Sequence, residues 1–395
     1  MAQNSTIPQF PPPSRLLRLG FVGGGSGALI GEVHANGARL SNRWQVVAGA
    51  LSSDPERTRR SGREWMLADD RSYSDYRDMA LREAQRPDGI DAVVIATPNH
   101  LHHPVAAAFL DAGIEVISDK PLTTNLPDAI DLVRRQQQTG RVFGVTYAYA
   151  SHVMVRQARE MIGAGLLGDI RQVHVEYFQE WAIGISDEGE NRPWRLDPAR
   201  VGRAFTVADI GTHAMHLAAF ATRRDVESVR AEFHVSGRPK ALEDTAFMHL
   251  RLSGGVPGTL MVSQAAAGTQ CGLRLRVFGS LAGLEWDQEN PEFLRFTPLD
   301  SPTQIIGRGH GGGMMERTLP FVRMPRGHPE GLTDAWANLY LELAVAIDAR
   351  RCGITLPDGL LAYPDVVDGA KGVKFVDAAI ESNATGQWVD CRLAV

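Results

Sequence analysis

The sequence predicts an α/β chain in two parts: a parallel sheet covered by helices, then an α+β part on a large, mostly antiparallel open sheet. Three features predict it. An apolar strand pattern, Leu16 to Gly24, runs straight into a glycine cluster. Up to about residue 146, short apolar runs alternate with helical patterns of about 10–15 residues, the signature of βαβ units. Beyond that point strand-like stretches follow one another with few helices between them, and alternation leaves one face polar.

Residues 1–13 are polar and proline-rich with no apolar core, which reads as a flexible tail and not a signal peptide. The first part then covers about residues 14–146. Its opening strand LRLGFV is followed by a helical stretch to about Leu40, the strand Trp44 to Leu51 and a further helical pattern. Ile90 to Pro98 is a continuous apolar run, as a strand buried on both faces requires. The helix Pro104 to Ala112, the strand IEVIS and the amphipathic helix Pro127 to Thr139 lead to RVFGVTYAY. The second part, about residues 147–395, starts with a helix around Met154 to Ile162. Strands follow in DIRQVHVEYFQEW, VESVRAEFHV, DTAFMHLRL, GTLMVSQAA, GLRLRVFG and GLEWDQ; helices return at Leu332 to Arg351 and Asp365 to Asn383.

Composition narrows the function. Lys and Arg number 41 against 46 Asp and Glu, a net of −5 with no basic block, which argues against nucleic acid as the partner. No run approaches the roughly 18 apolar residues of a membrane span. Cys271, Cys352 and Cys391 lie far apart and read as buried thiols in a reducing compartment, so the expected location is the cytoplasm. Forty glycines in 395 residues exceed the usual share of roughly 7%, and their placement carries the reading.

Gly23-Gly24-Gly25-Ser26-Gly27-Ala28 satisfies G-x-G-x-x-G/A between a strand and a helix. Glycine lets the backbone turn sharply and approach a pyrophosphate, and the helix N-terminus behind it donates N–H groups to the anion. That context makes the segment a dinucleotide site of the Rossmann type rather than a bare turn. Gly31 also fits the third-glycine position, which implies a turn longer than standard. The cofactor is NAD or NADP. Ser52 and Ser53 follow the second strand where an NAD site carries an acid. Absence of a carboxylate there, with Arg57 close by, leans towards NADP or dual use; Asp54 turning back to the ribose is the alternative.

Three more segments carry chemistry: Ala96-Thr97-Pro98-Asn99-His100-Leu101-His102, Ser118-Asp119-Lys120-Pro121 and Asp209-Ile210-Gly211-Thr212-His213. The first two stand at strand ends of the parallel sheet, where ligands bind. With the glycine loop, in this order, they make the chain resemble the Gfo/Idh/MocA family of NAD(P)-dependent sugar and polyol dehydrogenases over nearly its whole length. The resemblance implies that Lys120 and His213 flank the reacting alcohol, with Asp209 nearby. Thr97, Pro98, Asn99, His102 and Asp119 would then join Gly23, Gly25, Ser26, Gly27 and Ala28 at the cofactor. Histidine titrates near working pH and suits the proton transfer, while a lysine ammonium stabilises a developing alkoxide. Asp209 shares a helical face with His213 and can orient hydroxyls or tune the imidazole. Helical spacing would also group Asp209, His213 and His216 on a metal, but no further ligand cluster supports one, and none is expected.

The chain departs from the family pattern in three places. Asp119 stands where many members have Glu, His216 where many have Asp, and Tyr147-Ala148-Tyr149-Ala150 where an Asn-Arg-Arg-Phe-like segment is common. Tyr149 thus becomes a substrate contact in place of arginine, with core packing the alternative. Trp181 and the block Asn191-Arg192-Pro193-Trp194-Arg195-Leu196-Asp197-Pro198 offer tryptophan faces and the Arg195 fork for a polyhydroxylated ring. The bland alternative is a loop pinned by Trp194 and an Arg195–Asp197 ion pair. His328 is a further candidate contact, and Gly307 to Gly313 reads as a mobile cover or partner arm. The expected activity is hydride transfer between NAD(P) and a hydroxyl or ketone of a sugar, glycoside, anhydro-sugar or cyclitol. The rivals are a keto- or anhydro-sugar reductase and a non-catalytic NAD(P)-sensing regulator. The expected assembly is a homodimer or homotetramer.

Overall fold

A computed structural model describes residues 10–13, 15–187 and 193–394, so most of the N-terminal tail, and Asn191 and Arg192, lie outside the described residues. The chain divides into two compact units, one of residues 10–148 with 333–370, the other of residues 149–332 with 371–394.

The first unit runs β1 (Leu17–Gly23), α1 (Leu29–Leu40), β2 (Trp44–Ala50), α2 (Pro55–Glu64), α3 (Tyr76–Gln85), β3 (Ala92–Ala96), α4 (His102–Asp111), β4 (Glu115–Ser118), α5 (Leu126–Thr139) and β5 (Phe143–Val145). All five strands are parallel, in the order β2-β1-β3-β4-β5. The chain leaves β1 towards β2 and returns to β3 on its other side, so a crevice opens at the carboxyl ends of β1 and β3. Every residue of β3 is buried, as its unbroken apolar run requires.

The other elements are α6 (Val153–Gly163), β6 (Ile170–Phe178), α7 (Pro198–Val201), α8 (Thr212–Thr222), β7 (Val226–His234), β8 (Thr245–Leu252), β9 (Val256–Ser263), β10 (Gly272–Gly279), β11 (Ala282–Asp287), β12 (Phe293–Pro298), β13 (Gln304–Gly307), α9 (Leu332–Cys352), α10 (Val366–Thr385) and β14 (Val389–Asp390). The nine strands from β6 onward form one sheet, ordered β13-β12-β11-β10-β6-β9-β8-β7-β14. Its pairs are antiparallel except β6 with β9, which run parallel. One face is apolar and covered: Val173, Val175 and Tyr177 of β6 alternate inward beside Leu273, Leu275 and Val277 of β10. The opposite face mixes charges with exposed Phe247, Phe278 and Phe293.

The structure corrects two sequence expectations. Residues 333–370 belong with the parallel sheet although the boundary near 146 assigned them to the second part. Helix α9 is apolar nearly all round and is buried there. A Cβ on Gly37 of α1 would come 2.7 Å from the Trp336 Cβ, and the Trp44 indole donates to the Tyr340 carbonyl at 2.9 Å. Cys352 is exposed, Cys271 half-buried and only Cys391 buried, so the cysteines are not uniformly core thiols. Strands β12 and β13, the last two at one end of the sheet, carry too little apolar alternation to be read from sequence. Among the described residues no helix is long and apolar enough to cross a membrane.

Candidate active site

In the parallel-sheet unit the glycines make the cofactor cradle. Gly23, Gly24 and Gly27 hold φ of +78°, +69° and +83°, a region that L side chains avoid. A Cβ on Gly23 would lie 2.5 Å from the Ala96 carbonyl, and one on Gly31 only 2.0 Å from the Gly24 carbonyl. Gly31, not Ala28, is thus the glycine that lets α1 press against the strand end. Ala28 gives α1 no side-chain cap, so the backbone N–H groups of its first turn have no local side-chain acceptor. The Ser26 hydroxyl bonds Ser61 and the Glu64 carboxylate. Beside Gly23 the Thr97 hydroxyl is buried with no hydrogen-bond partner among the described residues. An uncapped helix end, a cradle that excludes Cβ atoms and an orphaned donor fit a dinucleotide phosphate.

After β2, Ser52 Oγ accepts from the Asp54 amide at 3.2 Å, and Asp54 caps α2 by accepting from the Arg57 amide at 2.7 Å. Asp54 is therefore committed to its helix, while Ser53 and Arg57 are exposed. Asp119 Oδ1 accepts from Thr146 Oγ1 at 2.9 Å and from the Lys120 amide at 2.8 Å, so this shorter acid ties its own loop to the end of β5. Pro98 and Asn99 enter a short turn into α4. His102 is only 1% exposed, which argues against a face stacked on the nicotinamide. Its Nδ1 meets the Pro121 carbonyl at 2.8 Å and its Nε2 the Thr97 carbonyl at 3.0 Å, tying the two strand-end segments together. Burial lowers the pKa of this imidazole, with the Asp119 charge opposing.

The second unit gathers side chains. Asp209 stands in a wide π-helical turn, Val207–Gly211, that leads directly into α8 and His213. Such turns recur at functional sites. Gly211 there has ordinary helical dihedrals, and a Cβ would come no nearer than 3.4 Å to Val207 and 3.7 Å to the Thr206 carbonyl, so glycine is not demanded. Gln264 Nε2 donates to Asp209 Oδ2 at 2.7 Å. The Tyr149 ring packs edge-on to His213, centroids 4.9 Å apart, and its hydroxyl meets Tyr177 Oη at 2.6 Å with Cys271 Sγ at 3.6 Å. Gln179 donates to Tyr177 Oη at 3.1 Å and accepts from the half-exposed Trp181 indole at 3.0 Å. Burial raises the phenol pKa of Tyr149, with the Cys271 charge next, so its hydroxyl is held in the neutral form.

Beneath the turn, buried Glu243 accepts from the amides of Phe205 and Val207 at 2.9–3.1 Å; burial pushes its pKa up to about 7 against those bonds. His216 stacks on Phe220, and burial lowers its pKa to about 3. Among the described residues no cluster of three or more His, Cys, Asp or Glu could hold a metal.

Asp209, Tyr149 and Trp181 thus share one hydrogen-bonded cluster in this unit, and His213 packs on it through the Tyr149 ring. Arg195 and His328 do not join it. Arg195 is exposed and lies over the Trp194 ring at 4.7 Å, while Asp197 caps α7 and pairs with Arg200 instead. His328 is exposed, its carbonyl held by Arg308. The glycine-rich 307–313 segment is anchored at both ends, by Arg308 on Glu292 and by Gln157 on the Gly313 carbonyl. Sequence reasoning missed Gln179, Gln264, Tyr177 and Cys271. Their signal was topological: Gln179 and Gln264 directly follow β6 and β9, at the carboxyl ends of the sheet's parallel pair.

Comparison with known proteins shows the family and the fold. The profile of the oxidoreductase family with an NAD-binding Rossmann fold matches residues 17–147, and that of the GFO/IDH/MocA C-terminal domain matches residues 155–285. The uncharacterized oxidoreductase YfiI of Bacillus subtilis is 33% identical over 397 residues, 96% of this chain and 98% of its own. Levoglucosan dehydrogenase of Pseudarthrobacter phenanthrenivorans is 25% identical over 405 residues, 95% of this chain and 98% of its own. An inositol dehydrogenase homologue of Azotobacter vinelandii, solved with NAD+, has a TM-score of 0.90 at 37% identity, covering 98% of this chain and all of that one. With NADH and myo-inositol the TM-score is 0.88 at 37% identity, covering 96% of this chain and 98% of that one.

Proposed function

The chain belongs to the Gfo/Idh/MocA family of oxidoreductases with an NAD-binding Rossmann fold, and on that premise we propose that it is a dehydrogenase of ring polyols. Its substrate is a cyclitol, sugar or anhydro-sugar with a secondary hydroxyl. The observation that carries this reading is the cluster around Asp209 and His213. A carboxylate, an imidazole, two glutamine amides and a half-exposed indole suit a ring with an apolar C–H face and a hydroxyl rim. The relatives named for levoglucosan and inositol support the same substrate class.

A nicotinamide held in this cradle would supply the hydride acceptor, and the residues handle the proton. His213 takes the hydroxyl proton, Lys120 donates to the developing alkoxide, and Asp209 orients a hydroxyl or the imidazole. The glycine cradle, Thr97 and Asp119 hold the cofactor, and Tyr149 walls His213 with its ring. NAD is the family cofactor; Ser52 and exposed Arg57, with no acid pointing back from Asp54, favour acceptance of NADP as well. Exposed Phe247, Phe278 and Phe293 support self-association through the open sheet face. The test is the paired variants Lys120→Ala and His213→Ala. Turnover should fall by roughly 10²–10⁴ with cofactor affinity nearly unchanged. Full turnover in both would remove Lys120 and His213 from the reaction, and a wild type that binds cofactor but turns over no polyol would leave a cofactor-sensing protein instead.

A further inference from the structure

We propose that Gln264 is a positioning residue of the reaction: its side-chain amide fixes Asp209 as an oriented carboxylate, and Thr206 fixes the amide. This rests on the role given above to Asp209. The chain of bonds is short and buried. Thr206 Oγ1 donates to Gln264 Oε1 at 2.8 Å, and Gln264 Nε2 donates to Asp209 Oδ2 at 2.7 Å. Thr206 and Gln264 both have no exposed surface, so water does not reach the bond between them, while Asp209 beyond it is half-buried. The Gln264 backbone is held on both sides, its N–H on the Asp244 carbonyl at 2.8 Å and its carbonyl by the Ala182 amide at 2.9 Å. The amide also faces Gln179 Oε1 at 3.5 Å. A flipped amide would set two oxygens against each other at Asp209, so the network admits one orientation.

An N–H donated to a carboxylate favours its charged form and removes its freedom to rotate. The other titratable groups around Asp209 are His213 from α8, Tyr149 and Cys271 from the facing wall, and Glu243 from the loop beneath the turn. They are common to wild type and variants, so a comparison cancels them. Gln264→Glu is the discriminating substitution. When protonated, the new carboxyl can donate to Asp209 and accept from Thr206, reproducing the amide. When ionised, it sets a second carboxylate against Asp209 and keeps only the Thr206 bond.

The experiment measures kcat/KM of wild type, Gln264→Glu and Gln264→Leu from about pH 5 to about pH 9 with the polyol that wild type turns over best. The Glu variant should approach wild type at the acid end and fall away progressively, reaching a tenfold to hundredfold deficit, as pH rises. The Leu variant should lose a roughly constant tenfold to hundredfold across the range. A Glu variant whose profile runs parallel to wild type overturns the proposal. Thr206→Val guards against a misfolded Glu variant: it should lower kcat/KM severalfold with KM for the cofactor unchanged, and an unchanged kcat/KM overturns the relay. Asp209→Asn separates the two readings, because full activity there removes Asp209 from the reaction whatever Gln264 does.

Discussion

In the parallel-sheet unit the functional features are backbone: three glycines in left-handed conformations, an uncapped helix end and two strand-end turns clamped by His102. In the antiparallel unit they are side chains, delivered by the wide turn before α8, the ends of β6 and β9, the start of β10 and the turn at Tyr149. The difference teaches how each can fail. A cradle built of backbone fails when an atom is added to it. A cluster built of hydrogen bonds fails when an atom is removed or its charge is changed.

Gly31→Ala breaks the first half of that comparison most severely. Its Cβ would stand 2.0 Å from the Gly24 carbonyl, a backbone atom that cannot swing aside. We expect loss of about 3 kcal/mol of stability and of measurable NADH binding, read by thermal unfolding and by titration of reduced-nicotinamide fluorescence. Gly27→Ala is the control. No atom lies within 4 Å of its Cβ, so only the left-handed φ is taxed, at about 1 kcal/mol.

Next comes charge in the second unit. A Glu243 carboxyl raised to about 7 takes up a proton on folding between its ordinary 4.5 and that value. The protein therefore loses stability as pH rises through this window, by up to about 3 kcal/mol above it. Glu243→Gln should remove that slope, so that the variant gains on wild type in Tm as pH goes from acid to neutral. Equal slopes would show that the three amide bonds keep Glu243 ionised.

Ser52→Asp sharpens the cofactor side. A carboxylate placed there repels a 2′-phosphate, so NADPH affinity should drop roughly tenfold while NADH affinity holds. A wild type that already binds NADH far more tightly than NADPH would remove the case for dual use. Tyr149→Phe is the mildest break. The ring stays against His213 and only the hydroxyl's contacts with Tyr177 and Cys271 go, so kcat should fall no more than severalfold.

The same contrast explains what could be read from the sequence. The glycine loop, the Thr97 to His102 and Asp119-Lys120 segments and the buried strand Ala92–Ala96 are local patterns, because a strand, a turn and a helix follow one another directly. Residues 209–213 were legible for the same reason, although the wide turn was not. Gln264 and Tyr177 were not legible as site residues. Their meaning depends on β6 pairing parallel with β9, a contact between segments more than eighty positions apart. Helix α9 was found as a helix, but its all-round burial does not state which sheet it covers. Trp181 joined the cluster and Arg195 did not, since an arginine over a neighbouring indole needs no substrate to be satisfied.

The most direct test of the central claim is formation of reduced nicotinamide when the purified protein meets a panel of inositols, glucosides and anhydro-sugars, run beside His213→Ala. The account predicts that wild type reduces the cofactor with at least one ring polyol, and that the variant binds cofactor equally well yet turns over at least a hundredfold more slowly. Cofactor binding without reduction by any ring polyol, or a His213→Ala variant as fast as wild type, would contradict it.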